Sequence, residues 1–259
     1  LTMGKEDNIE FIVTGKGSDI AVDLNEPVSI PTDLYDGKLG LKSFSTYNNI
    51  PNIECGRNNS LKVKVPNQDY KVFSLDTGAY ELKKINEQIV SWIKLDNPKL
   101  EKVEEKFRLI GNEATSKAEF LLKPGYGVDF NVPNSMFEVL GFEKSTAVEG
   151  PGRSVAKEII NIVSVKQIVF NCNLTESNFV NGHVSPFIYN CGIDVPVRFR
   201  LSRELTDISY KSLTTSQISH IRLWVTDQNG AAVNLRDDDL TVTLSLKLTR
   251  KVSRVSIVS

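Results

Sequence analysis

The sequence predicts an all-β protein, a β-sandwich or barrel of antiparallel sheets with one inserted helix. Three observations lead there. From Leu240 to Thr249 the apolar residues Leu240, Val242, Leu244, Leu246 and Leu248 alternate strictly with Thr241, Thr243, Ser245, Lys247 and Thr249. Successive strand side chains point to opposite faces, so one face of this segment is apolar and the other polar. About a dozen short candidate strands follow one another with turn residues between them and no βαβ alternation. A single stretch, residues 79–94, switches to helical spacing.

In chain order, Ile9 to Val13 is a short apolar run closed by Thr14-Gly15-Lys16-Gly17-Ser18, a strand and a turn. Val28-Ser29-Ile30 before Pro31 is an edge segment. Leu39 to Phe44 alternates, with Leu39, Leu41 and Ser43 against Gly40, Lys42 and Phe44. It leads into an Asn-rich loop anchored by Tyr47, Ile50 and Ile53. Leu61, Val63 and Val65 alternate with lysines and pair with Tyr70 to Leu75 across Pro66-Asn67-Gln68-Asp69. In the helix, Leu82, Ile85, Ile89 and Trp92 or Ile93 share a face, Thr77 is the candidate N-cap, and Pro98 lies beyond the end. Phe107 to Ile110 and Ala118 to Leu122 are strands, although Leu100 to Phe107 also suits a helix extension. Val128 to Phe130 is extended, Ser135 to Leu140 is one helical turn stopped by Gly141, and Glu143 to Ser154 is a polar loop.

Ile159 to Phe170 is a long β-branched stretch, and Phe187 to Tyr189 and Val197 to Leu201 are shorter strands, the second with Arg198 and Arg200 on one face. Ile221, Leu223 and Val225 then alternate with Arg222, Trp224 and Thr226, ahead of Asp227-Gln228-Asn229-Gly230. Asn-Gly tolerates positive φ and marks a turn. The segments 217–226 and 240–249 read as a long antiparallel pair, joined either by a wide loop or by a Greek-key crossing. No linker or repeat divides the chain, so residues 1–259 are expected to form one domain, with a tail from about residue 250.

Composition excludes several classes. Lys and Arg number 31 against 32 Asp and Glu, so no net field favours nucleic acid or an acidic partner. No apolar run is long enough to span a bilayer, and the first residues lack a signal-peptide core. The cysteines, Cys55, Cys172 and Cys191, are odd in number and widely spaced, which suits free thiols in a reducing compartment. His183 and His220 have no metal-ligand spacing around them, and no Gly-x-Ser-x-Gly elbow is present. Gly150-Pro151-Gly152-Arg153-Ser154 lacks the ending of a phosphate loop, and Asp237-Asp238-Asp239 reads as a solvated triplet rather than a calcium site. No catalytic residue, cofactor or metal is therefore expected. Arg250, Lys251 and Arg254 make a mildly basic end that suits a short solvated terminus or an arm gripping a neighbour better than a nucleic-acid tail.

The order of several short motifs resembles a family found in Maverick/Polinton-type mobile elements and adintovirus-like viruses integrated in animal genomes. The matching pieces are Thr46-Tyr47-Asn48-Asn49-Ile50-Pro51-Asn52-Ile53 with Asn58-Asn59, Gly78-Ala79-Tyr80-Glu81-Leu82 with Ile85-Asn86, and Val128-Asp129-Phe130. They continue with Leu140-Gly141-Phe142, Asn161-Ile162, Cys172-Asn173, Asn181-Gly182 and Asp227-Gln228-Asn229-Gly230. The sequence departs from the pattern at Leu235-Arg236-Asp237-Asp238 and in the loop after Asn181-Gly182. The resemblance implies a jelly-roll capsid protein with no enzymatic activity, usually the minor, penton-type component at the vertices of an icosahedral shell. It implies a homopentamer that contacts the major capsid protein, with no membrane or sequence-specific nucleic-acid partner, in virions assembled in the host cytoplasm or nucleus. The alternatives are a major capsid protein of the same lineage or a non-viral ligand-binding or adhesion sandwich. The residues expected at an oligomer interface are Trp224, an aromatic on a polar strand face, and the apolar tail residues Val252, Val255 and Ile257.

Overall fold

A computed structural model describes residues 6–163, 165–180 and 182–251. The first three strands are β1 (Glu6–Lys16), β2 (Asp19–Ser29) and β3 (Tyr35–Tyr47). There follow β4 (Ser60–Lys64), β5 (Lys71–Ser74), α1 (Leu82–Asp96), α2 (Val103–Lys106), β6 (Phe107–Asn112) and β7 (Lys117–Leu122). Next come β8 (Gly127–Asp129), α3 (Phe137–Leu140), β9 (Ala147–Glu149) and β10 (Gly152–Val155). The remainder is β11 (Gln167–Cys172), β12 (Asn178–Val180), β13 (His183–Ser185), β14 (Phe187–Gly192), β15 (Arg200–Glu204), β16 (Lys211–Ser212), β17 (Gln217–Asp227) and β18 (Asp239–Arg250).

One domain was expected over residues 1–259. The chain divides into two compact units, residues 1–50 with 165–259, and residues 51–164. Each has its own apolar core. Sequence periodicity marks strands but not which strands share a core, and the Asn-rich segment after β3 hid the point where one core stops and the next begins. The helix belongs to the second unit.

The first unit has the strand order of a jelly roll. One sheet runs β1-β18-β3-β15, with β16 also on β3; the other runs β14-β11-β17-β2. Every ladder in both sheets is antiparallel. In chain order the connections cross between the sheets except from β11 to β14 and from β15 to β16, which stay in one sheet, and this is the double Greek-key arrangement of a jelly roll. The expected pairing of segments 217–226 and 240–249 is thereby corrected: β17 and β18 lie in opposite sheets, and the connection between them is the Greek-key crossing. Asp227 starts that crossing by closing a turn on its own strand, its carboxylate accepting from the Asn229 and Ala231 N–H groups, with Gly230 at φ 84°.

The alternation read at both strands is real. Ile221, Leu223 and Val225 face Leu240, Val242, Leu244, Leu246 and Leu248 inside one core. Phe44 of β3 and Phe170 of β11 meet between the sheets, with ring centroids 4.6 Å apart. Phe44 was expected on the face opposite Leu39 and Leu41. A register shift beside Thr243/Leu244 inserts an extra residue into β3, so Leu39, Leu41 and Phe44 all point inward. The outward Gly40 lets the chain around Ile208 to Tyr210 lie directly on β3, since a Cβ there would stand 2.3 Å from Ile208 and 3.2 Å from the Ser209 carbonyl.

Other boundaries moved. β2 is a full edge strand whose apolar alternation, Ile20, Val22, Leu24 and Val28, is interrupted at Glu26 and Pro27, and its charges and Pro27 blunt that edge against stray pairing. Only Gln167–Cys172 of the β-branched 159–170 stretch is a strand. Arg198, at φ 71°, precedes β15 and does not share a strand face with Arg200.

The second unit joins a sheet β5-β4-β8-β9, a sheet β10-β7-β6 and the helix α1. α1 buries Ile85, Ile89, Val90 and Ile93, the face its spacing predicted. Its N-cap is Glu81 rather than Thr77, whose hydroxyl instead accepts from the Cys55 N–H at 3.0 Å. Phe107, Phe120, Phe130 and Phe142 form an aromatic cluster, the last two stacked at 4.9 Å.

Candidate assembly surfaces

Polar side chains in this protein are largely committed to holding its backbone. Asn52 donates to the Tyr80 carbonyl at 2.8 Å and accepts from the Tyr80 N–H at 2.8 Å. Asn58 donates to the Asn52 carbonyl, and Asn59 donates to the Leu75 carbonyl. Asn86 accepts from the Leu109 N–H at 2.7 Å, tying α1 to β6. Asn48 donates to the Val195 carbonyl, and Asn173 accepts from the Arg222 N–H. Gly141 caps α3 in the left-handed region at φ 75°. The motifs that carried the sequence resemblance are thus mainly loop staples, each supplying a partner that an irregular backbone lacks.

The charged groups form cross-strand pairs. On the outer face of the sheet β14-β11-β17-β2, Arg222 grips Asp19 through two hydrogen bonds of 2.6 and 2.9 Å, and His220 Nδ1 lies 2.7 Å from Asp23. The Arg222 guanidinium holds the Asp19 carboxyl below the usual carboxylate range. In the second unit Arg153 grips the buried Glu119 at 2.6 and 2.8 Å, Asn112 adds a third bond at 2.8 Å, and together they hold its carboxyl low. Burial, then a bond to Glu149, pushes the Tyr70 hydroxyl up to about 12. These sets resemble structural ladders, with no nucleophile beside a base. His220 meets only the exposed Asp23, and the backbone of His183 lies in β13. Among the described residues no group of His, Cys, Asp and Glu could hold a metal ion, and Asp238 of the acidic triplet accepts from Asn49. No helix there is long and apolar enough to cross a membrane.

Of the predicted interface residues, Trp224 lies on the outward face of β17 as expected, but half-buried. Arg222 covers its ring, with the guanidinium carbon 5.4 Å from the centroid. An arginine already held by Asp19 shields the indole within the same chain, so Trp224 is a less open surface than its place in the sequence suggested. Val252, Val255 and Ile257 lie outside the described residues.

An exposed surface that the sequence did not reveal stands on the connection between β11 and β14. There β12 and β13 form a two-stranded ribbon in which Phe179 faces Val184 directly. Both point to solvent, 74% and 66% exposed. The opposite face is tied down, since Ser185 donates to Asn171 on the sheet behind it. The signal was the pair of alternating triplets Asn178-Phe179-Val180 and His183-Val184-Ser185 around Gly182, too short to outweigh the surrounding polar loop.

The cysteines are free. Burial pushes the Cys172 and Cys191 thiols up to about 11 each. Cys191 lies opposite Ile168, four positions from Cys172 on β11. At ~3.3 Å per residue this is about 13 Å along the strands, beyond the ~7 Å between Cα atoms that a disulfide spans.

Strand order and site together define the class: a jelly-roll β-sandwich whose third connection carries a second unit of two sheets and a helix, with its polar chemistry turned to structure. No protein-family model and no curated protein matches the sequence. Among solved structures, the crystal structure of the selenomethionine-labelled mavirus penton protein is similar at 11% identity and a TM-score of 0.49, over 93% of this chain and 99% of that one.

Proposed function

We propose that this protein is a structural virion component, the minor, penton-type capsid protein of a Maverick/Polinton- or adintovirus-like element. In this reading five copies surround an axis at the vertex of an icosahedral shell and meet the major capsid protein on their outer flanks. It needs no catalysis, cofactor, membrane or sequence-specific nucleic acid. The observation that carries it is the jelly-roll strand order of the first unit, beside asparagines that staple loops and charges that pair across strands. The motif resemblance over residues 46–230 supports the lineage. A fold hosts many functions, so self-association is the property that needs testing.

The major-capsid alternative is less well supported. A double jelly roll needs the same strand order twice, whereas the second unit has sheets β5-β4-β8-β9 and β10-β7-β6 and an amphipathic helix. The test is electron microscopy of the purified protein and of particles that contain it. Five-fold rings, and density for this chain at the vertices, are expected. Trimers or pseudo-hexagonal arrays would reassign it to the major shell, and particles lacking it would reject the virion role.

A further inference from the structure

The β12–β13 ribbon presents two features that a protein surface ordinarily hides. Its outward face is an apolar pair, Phe179 opposite Val184, and among the described residues its two strands pair solely with each other. Two-stranded hairpins are marginal in water, and a third strand makes such a sheet stable. Unpaired strand edges are templates for an incoming extended segment, which gains main-chain hydrogen bonds along the edge and specificity from alternate side chains.

A segment with the matching pattern leaves the same end of the jelly roll. β18 pairs in register with β3 up to Arg250 opposite Tyr35, and the next residue, Lys251, donates from its N–H to the Leu34 carbonyl at 2.8 Å and from Nζ to the Thr32 carbonyl at 2.6 Å. The connections 30–34, 173–186 and 213–216 all lie at this end. Ile30 donates to the Ser216 carbonyl, Thr214 to the Leu174 carbonyl and Glu176 to the Ser212 carbonyl. After Lys251 the sequence reads Val-Ser-Arg-Val-Ser-Ile-Val-Ser. In an extended chain Ser253, Val255 and Ile257 share one face, so Val255 and Ile257 can extend the face of Phe179 and Val184. The eight residues reach at most about 28 Å. The 213–216 connection stands between the chain's exit beside Leu34 and its own ribbon, which it flanks through Thr175 and Leu213.

We infer that residues 252–259 of one copy add as a strand to the β12–β13 ribbon of a second copy, with Val255 and Ile257 packing beside Phe179 and Val184. This rests on the assembly proposed above and names its contact. A contact between different patches, repeated from copy to copy, is the kind that closes a ring.

The test places a photoreactive amino acid at position 179 of the full chain, in a mixture of isotopically light and heavy protein. Native mass spectrometry follows the full chain, the chain ending at Lys251, and Phe179→Asp with Val184→Asp. The expected result is light-to-heavy cross-links from position 179 to peptides within 252–259, and at least a ten-fold weaker assembly for both altered proteins. Circular dichroism of the altered proteins should match the full chain, which separates lost contact from lost fold. Oligomers that persist in the chain ending at Lys251, or cross-links confined to one copy, would overturn the strand exchange while leaving the capsid reading intact. A full chain that stays monomeric would overturn both.

Discussion

At the residue scale, the positions that matter most are those where geometry leaves one solution. Gly141 is both left-handed and pressed against backbone: a Cβ there would stand 2.4 Å from the Glu158 carbonyl oxygen. Gly141→Ala should cost at least about 2 kcal/mol, from the left-handed penalty and the collision together. Urea denaturation of the purified variant checks this. Glu119 offers a pH test. Arg153 foremost, and then Asn112, lower its pKa in the folded state, so the stability it contributes is present above the ordinary carboxylate range and is lost as pH falls through the folded value. Glu119→Gln should therefore be less stable at neutral pH and should lose less stability than the parent on acidification. Parallel denaturation curves at neutral and acid pH read the difference. The thiols give a third test. Cys55 is exposed, whereas Cys172 and Cys191 are pushed up to about 11 by burial. Alkylation of the native protein near neutral pH should mark Cys55 first, and non-reducing mass spectrometry should find no link between Cys172 and Cys191.

At the element scale, long unbroken alternation was legible in the sequence and interrupted alternation was not. β17 and β18 could be read because every second residue is apolar, and α1 because Ile85, Ile89 and Ile93 recur at helical spacing. β2 was read only at its end, from Val28: Ile20, Val22 and Leu24 alternate toward the core, but that run is short and is broken at Glu26 and Pro27. Phe44 was placed on the wrong face because a one-residue bulge inverts every side chain beyond it, and sequence spacing does not record a bulge. The partner of a strand was equally hidden: alternation fixes which side faces a core but not which sheet the strand joins. The interface residues divide along the same line. Trp224 was found because it breaks a polar face, but its cover by Arg222 depends on the Asp19 pair from β2, a strand the sequence concealed. For α1, Ile89→Ala should cost about 2–5 kcal/mol, because that side chain is wholly buried. Thermal melting with loss of the helical circular-dichroism signal measures it.

At the scale of the whole molecule, two separate cores and one jelly-roll order distinguish this chain from a single large sandwich and from a double jelly roll. Residues 51–164 expressed alone should retain the helical signal of α1 if the second core suffices to fold that unit; a chain that is unstructured by circular dichroism would argue against two independent cores. The jelly roll offers an exposed apolar ribbon at the end where β18 finishes. The proposed assembly would cover this pair between copies. The central claim is that this is a self-assembling, penton-type capsid component. Native mass spectrometry of the purified protein tests it most directly. The account predicts a pentamer as the dominant species; a stable monomer at every concentration examined would contradict it.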